Sequence, residues 1–187
     1  PRTALVETDG GPAEIDLPAC GWATLPASRA GDERMVSGNS YVSASRQPDG
    51  GFMLENELVR ASINPRGELV SLLDKETGRE ALAGPGNRLC LYKDVPTMWD
   101  AWDLDSMAEQ QPVKTDEPVT LSLAAGGPLV ARLALERKLS RSSVSQTIPL
   151  RRGSRRIDFA TTIDWQESHK LLKVAFPANI YTTEAIS

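Results

Sequence analysis

Hydrophobic and polar positions alternate with a period of two along most of the second half of the chain. Over 157–165 the odd positions read Ile157, Phe159, Thr161, Ile163 and Trp165, and the even ones Asp158, Ala160, Thr162 and Asp164. Successive side chains of an extended chain point to opposite faces, so this run predicts a half-buried strand. Over 129–139, Leu129, Ala131, Leu133, Leu135 and Leu139 share one face, against Arg132, Glu136 and Lys138 on the other. Val144, Gln146, Ile148 and Leu150 mark a third strand, and 171–176 a fourth that ends at Pro177.

Turn chemistry separates the runs. Asn64-Pro65-Arg66-Gly67 stands between the extended stretches 58–63 and 68–73 and predicts a hairpin loop. In Asp74-Lys75-Glu76-Thr77-Gly78, Asp74 can bond its own backbone and Gly78 can take positive φ. Arg151-Arg152-Gly153-Ser154 joins two strands, and Gly126-Gly127-Pro128 opens the 129–139 strand. No segment carries a helical stripe, so many short strands with regularly spaced turns predict an all-β, antiparallel β-sandwich or barrel. Before it, 4–7, 14–17 and 22–25 read as extended pieces of a smaller β unit. Residues 27–50, rich in Ser, Gly, Asp and Arg, read as a linker or long loop. The expected division is 1–50 for the small unit plus linker and 51–187 for the larger domain.

Composition narrows the function classes. A net charge of −4 over 187 residues argues against nucleic acid or an anionic membrane as the main partner. No apolar run approaches the roughly 18 residues of a membrane span. Cys20 and Cys90 have neither metal-ligand spacing nor a dense disulfide pattern, which fits a reducing compartment, with a single disulfide as the alternative. The start at Pro1 and the stop just after a strand-like stretch predict a piece of a longer protein.

Candidate chemistry concentrates in Met98-Trp99-Asp100-Ala101-Trp102-Asp103-Leu104-Asp105. A Trp offers a flat apolar face with one N–H, and carboxylates accept paired hydroxyls, a combination suited to a sugar ring. The bland alternative has the Trp residues in a core or interface and the Asp residues capping turns. Asp103 and Asp105, two apart on a strand, would project side by side, whereas a glycosidase acid and base flank the scissile bond. The one histidine, His169, sits in Gln166-Glu167-Ser168-His169-Lys170, expected to be an exposed turn, and no Ser or Cys partners it in a triad. No zinc spacing, calcium loop or phosphate-cradling glycine loop is present. Arg151-Arg152-Gly153-Ser154-Arg155-Arg156 has no interleaved aromatics and is expected to be a solvated hairpin tip.

Several ordered blocks carry a resemblance. Leu54-Glu55-Asn56-Glu57-Leu58-Val59-Arg60, the stretch 67–80, Gly86-Asn87-Arg88-Leu89, the 99–105 motif, 153–159 and 164–177 resemble, in that order, the C-terminal β region of glycoside hydrolase family 38 α-mannosidases. The likeness is greatest to the bacterial and cytosolic branch, in which a Trp-Asp-Ala-Trp-Asp sequence is typical. The resemblance implies an incomplete galactose-mutarotase-like supersandwich preceded by strands of a small β-sandwich. It also implies a retaining α-mannosidase whose catalytic Asp and zinc ligands lie N-terminal to this chain, so that no catalytic residue, metal ligand or cofactor is expected here. The implied partners are the parent's catalytic and helical domains and an α-mannoside, in a cytoplasmic setting. Trp99, Asp100, Trp102 and Asp103 become candidates for residues near the substrate. Trp102 would stack on the sugar, while Asp100 and Asp103 would bond hydroxyls or orient catalytic-domain groups. A sheet cut short leaves open edges, which predicts an oligomer or swapped dimer of the isolated piece. An independent carbohydrate-binding module and, from fold likeness alone, a mutarotase-type epimerase are the competing functions. The epimerase pairs His with Glu and is disfavoured by the single turn-located His169.

Overall fold

Two extended segments near the start, β1 (Arg2–Thr8) and β2 (Gly11–Leu17), pair antiparallel from Arg2 opposite Leu17 to Thr8 opposite Gly11. The computed structural model describes residues 2–8, 11–24, 41–99 and 102–181. The extended piece expected at 22–25 is not a strand over its described residues. Trp22 is 80% exposed in irregular backbone, and Leu25 lies outside the described residues. Among the described residues no strand pairs with this stretch, so it has no ladder to join.

A five-stranded sheet follows in sequence order. It comprises β3 (Ser43–Arg46), β4 (Phe52–Glu55), β5 (Val59–Ile63), β6 (Leu69–Asp74) and β7 (Arg79–Glu80), each antiparallel to the next. β3 lies in the stretch read from sequence as linker. Its polar residues have no periodicity of their own, and pairing with the apolar β4 makes it a strand. The Asn64–Gly67 hairpin forms as expected: Asn64 Oδ1 accepts the N–H groups of Arg66 (2.9 Å) and Glu68 (3.0 Å), and Gly67 takes φ +75°.

β8 (Arg88–Lys93) pairs with β9 (Pro112–Val113). β10 (Val119–Gly126), β11 (Val130–Leu139), β12 (Ser142–Arg151) and β13 (Ala160–Asp164) form a four-stranded sheet in that order. β14 (Lys170–Ala175) then returns to the other edge of β8, giving a sheet ordered β14-β8-β9. The helical content of the described residues is one 3-10 turn, Ala108–Gln110.

The alternation read from the sequence decides the packing. Ala131, Leu133, Leu135 and Leu139 of β11, with Val144, Gln146, Ile148 and Leu150 of β12, are all at most 3% exposed. The β11–β12 register sets Ala131 opposite Leu150 and Leu133 opposite Ile148, so these residues form one apolar face. Half of that face packs on Phe52, Leu54, Val59, Ala61, Ile63 and Leu69 of the five-stranded sheet. The other half, Leu139 and Val144, packs on Leu91, with Leu89 and Leu172 beside it. The result is the expected all-β antiparallel sandwich. At the junction, Asn87 donates to Gly67 O and exchanges amide hydrogen bonds with Gln146, so these polar groups are satisfied where they are buried.

Two expectations change. The 157–165 run is not one half-buried strand: Ile157 makes an isolated bridge to Leu150, and β13 covers only its second half. All five residues of β13 are exposed, and among the described residues β13 ends its sheet, paired only with β12. The basic cluster 151–156 is not a free solvated tip either. Arg151 and Arg156 pair with Asp158, Arg152 with Glu14, and Arg155 with Asp74 and Glu76. The Arg152–Glu14 pair ties the β1–β2 hairpin to the sandwich.

Candidate functional site

The Trp-rich motif lies in the connection that leaves β8 at Lys93 and reaches the 3-10 turn at Ala108. Two aspartates hold its base. Asp94 Oδ1 accepts the N–H of Asp105 at 2.7 Å, and the Asp94 N–H donates to His169 O at 2.9 Å. Asp105 in turn accepts the N–H of Met107 (2.8 Å) and the side-chain amide of Gln111 (3.1 Å). Asp105 therefore caps the turn that follows, and no Asp103–Asp105 dyad is formed.

Between these clips the chain folds on itself. Trp99 adopts φ +61°, and its carbonyl accepts the N–H groups of both Trp102 (2.7 Å) and Asp103 (2.8 Å). Asp103 Oδ1 accepts the adjacent Leu104 N–H at 2.9 Å. The indoles face solvent: Trp99 is 72% exposed and Trp102 90%. Met98, Leu104, Met107 and Val95 are exposed with them. Neither Trp packs in the core of this sandwich. A Trp carries about 150–250 Å² of buriable surface, and at about 25 cal/mol per Å² covering either ring is worth several kcal/mol. Of the four sequence candidates, Trp99, Trp102 and Asp103 come together on this loop, while Asp100 lies outside the described residues.

Beside the base of the loop opens a cleft of about 360 Å³ lined by Asp94, Trp165, Glu167, Ser168, His169 and Lys170. His169 is exposed in a left-handed turn conformation, as expected. Glu167 was not singled out from the sequence and is the anchor of this region. Its side chain is fully buried and accepts Lys170 Nζ at 2.5 Å, the Arg141 N–H at 2.6 Å, and the Ser142 N–H and Oγ at 3.2 Å each. The Lys170 hydrogen bond, aided by those to Arg141 and Ser142 and opposed by burial, lowers its pKa from 4.5 to about 2. A lowered folded-state value means that the carboxylate's contribution to stability is complete above about pH 4.5 and is lost as pH falls through about 2. Glu167→Gln is therefore expected to flatten the dependence of urea stability on pH across that window. A variant curve parallel to that of the wild type would refute this role. Among the described residues no three of His, Cys, Asp and Glu converge as a metal site. No described helix is long and apolar enough to cross a membrane.

The chain is thus an antiparallel β-sandwich that carries a Trp- and Asp-bearing loop outside its core. Comparison with known proteins makes this specific. Residues 54–187 match the family described as glycosyl hydrolases family 38 C-terminal domain, and the chain belongs to that family. It is 32% identical over 177 residues to alpha-mannosidase 2C1 of Homo sapiens and 33% identical over 177 residues to that of Mus musculus. Each match covers 92% of this chain and 17% of the relative. Alpha-mannosidase G of Dictyostelium discoideum is 30% identical over 171 residues, covering 85% of the chain and 16% of that protein. The chain thus spans a small fraction of the length of these relatives.

Proposed function

We propose that this chain is the accessory β domain of a retaining α-mannosidase and that its 99–103 loop stands beside the mannoside in the parent's active site. The observation that carries the reading is the solvent-facing pair Trp99 and Trp102, held on a hydrogen-bonded loop of a family 38 C-terminal domain. Trp102 stacks on the sugar, and Asp100 and Asp103 bond hydroxyls or orient groups of the catalytic domain. The catalytic Asp and the zinc belong to the parent's other domains. Among the described residues no three His, Cys, Asp or Glu side chains converge on one point, and on this reading the residues of this chain bind and orient rather than carry the bond cleavage. On this reading the β1–β2 hairpin is the end of a smaller β unit, the sandwich is the larger domain, and the parent works in the cytoplasm.

In the full-length enzyme, Trp102→Ala is expected to lower kcat/KM for an α-mannoside about 10-fold, or about 1.4 kcal/mol, with an unchanged melting temperature because the ring is exposed. Unchanged kcat/KM would refute the placement. Turnover by this chain alone, abolished by Asp103→Asn, would overturn the assignment of chemistry to other domains. The same exposure of Trp99 and Trp102 favours a second reading, an independent carbohydrate-binding module. Saturable quenching of Trp fluorescence by mannose or α-mannobiose in this chain, lost in Trp102→Ala, would select it.

A further inference from the structure

Within this chain the Trp loop takes its place from hydrogen bonds. Met98, Trp99, Trp102, Leu104 and Met107 are all at least half exposed, so their packing on the sandwich does not aim the loop. No described residue between Asp94 and Asp105 belongs to a strand. The bonds at the tip are local: Trp99 O accepts from Trp102 and Asp103, and Asp103 Oδ1 accepts from Leu104. They set the shape of the tip and leave its direction open. Direction depends on the two limbs, and the bond that joins these runs from the Asp105 N–H to Asp94 Oδ1 at 2.7 Å.

The Asp94 end of that bond is fixed to the sandwich. Lys93 closes the β8–β14 ladder opposite Lys170, and its N–H donates to Gln111 O at 2.9 Å. The Asp94 N–H donates to His169 O at 2.9 Å, a bond that survives any change of side chain. A single methylene then carries the carboxylate from this held backbone to the far limb. Asp105 passes the constraint on, through its bonds to the Met107 N–H and the Gln111 amide.

We propose, resting on the placement of the 99–103 loop beside the mannoside, that Asp94 is a positioning residue for that site: its carboxylate oxygen sets where the loop stands and so where Trp102 meets the sugar. The task is geometric. It needs an acceptor at the position of Oδ1, which an amide oxygen supplies as well as a carboxylate, and it needs neither charge nor a proton. It is also exacting, since a group misplaced by about 1 Å can cost up to about 100-fold in rate.

In the full-length enzyme, Asp94→Asn should therefore keep kcat/KM for an α-mannoside within about 2-fold of the wild type. Asp94→Glu, which keeps the charge but moves the carboxylate by a methylene, should lower it about 5-fold. A role for Asp94 as a charge or a proton acceptor would reverse that order. Asp94→Ala should lower kcat/KM about 10-fold alone but less than about 3-fold in the Trp102→Ala background, because a ring that is gone cannot be misplaced. A loss of folded enzyme would give the same factor in both backgrounds, and the Asn and Glu variants read the role even if Asp94→Ala fails to fold. With Trp102→Ala impaired, three results would overturn the role of Asp94 and leave the placement of the loop standing. These are a fully active Asp94→Ala, meaning that other domains hold the loop, equal factors in both backgrounds, or an Asp94→Asn as impaired as Asp94→Glu. An unimpaired Trp102→Ala would overturn both.

Discussion

Gly67→Ala is expected to destabilise the sandwich by about 2–5 kcal/mol, the sum of two separate costs. Gly67 has φ +75°, where a Cβ costs about 1–2 kcal/mol. The added Cβ would also lie 1.8 Å from Leu135 Cδ1 and 3.1 Å from Arg137 Nη2. Leu135 is 1% exposed and cannot swing into solvent, so the core must shift, at about 1–3 kcal/mol. The Gly67 carbonyl, which accepts from buried Asn87 at 2.9 Å, would move with it. With a urea m-value of about 2 kcal/mol per M, the unfolding midpoint should fall by about 1–2.5 M. Leu135→Ala should cost less in the Gly67→Ala background than in the wild type, because it removes the clashing methyl. Additive single-variant effects would show that the clash is not the cause.

Asn56→Ala is expected to cost about 3–5 kcal/mol, because one side chain closes two turns far apart in sequence. Asn56 is 2% exposed. Its Oδ1 accepts the N–H groups of Leu58 (2.9 Å) and Val59 (2.8 Å), and its Nδ2 donates to the carbonyls of Arg151 (2.8 Å) and Ser154 (2.7 Å). Truncation leaves several of these backbone groups without partners, each at about 1–3 kcal/mol where water cannot reach. Asn56→Asp should be no better, since it sets a carboxylate against two carbonyl oxygens. Equilibrium unfolding reads both variants, and a loss below about 1 kcal/mol would mean that water satisfies the site.

The buried face of β11 and β12 was legible because a two-residue period states directly which side chains share a side, and Gln146 was placed there despite its polarity. The same period does not say whether anything covers that side, which is why Ile157–Trp165 read as half-buried while β13 lies bare at an edge. The strand Ser43–Arg46 had no signal of its own, being made by its neighbour. Nor did the neutralisation of the 151–156 arginines, since Glu14 is 138 residues from Arg152 and Asp74 81 from Arg155. For the candidate site, Trp99, Trp102 and Asp103 stood out by local composition. Asp94, which clips the loop shut from outside the motif, and Glu167, which anchors the cleft, take meaning only from contacts made in three dimensions.

The closure of the Trp loop by the Asp94 carboxylate on the Asp105 amide, rather than by strand pairing, has an evolutionary corollary. No described residue between those two positions belongs to a strand, so changing the length of this segment is expected to leave the register of the described strands as it is. The loop is in effect a cassette on an indifferent scaffold. Relatives could diverge in what this end of the domain contacts while conserving the sandwich, and a loop transplanted between family members with both aspartates retained should carry its contact preference with it.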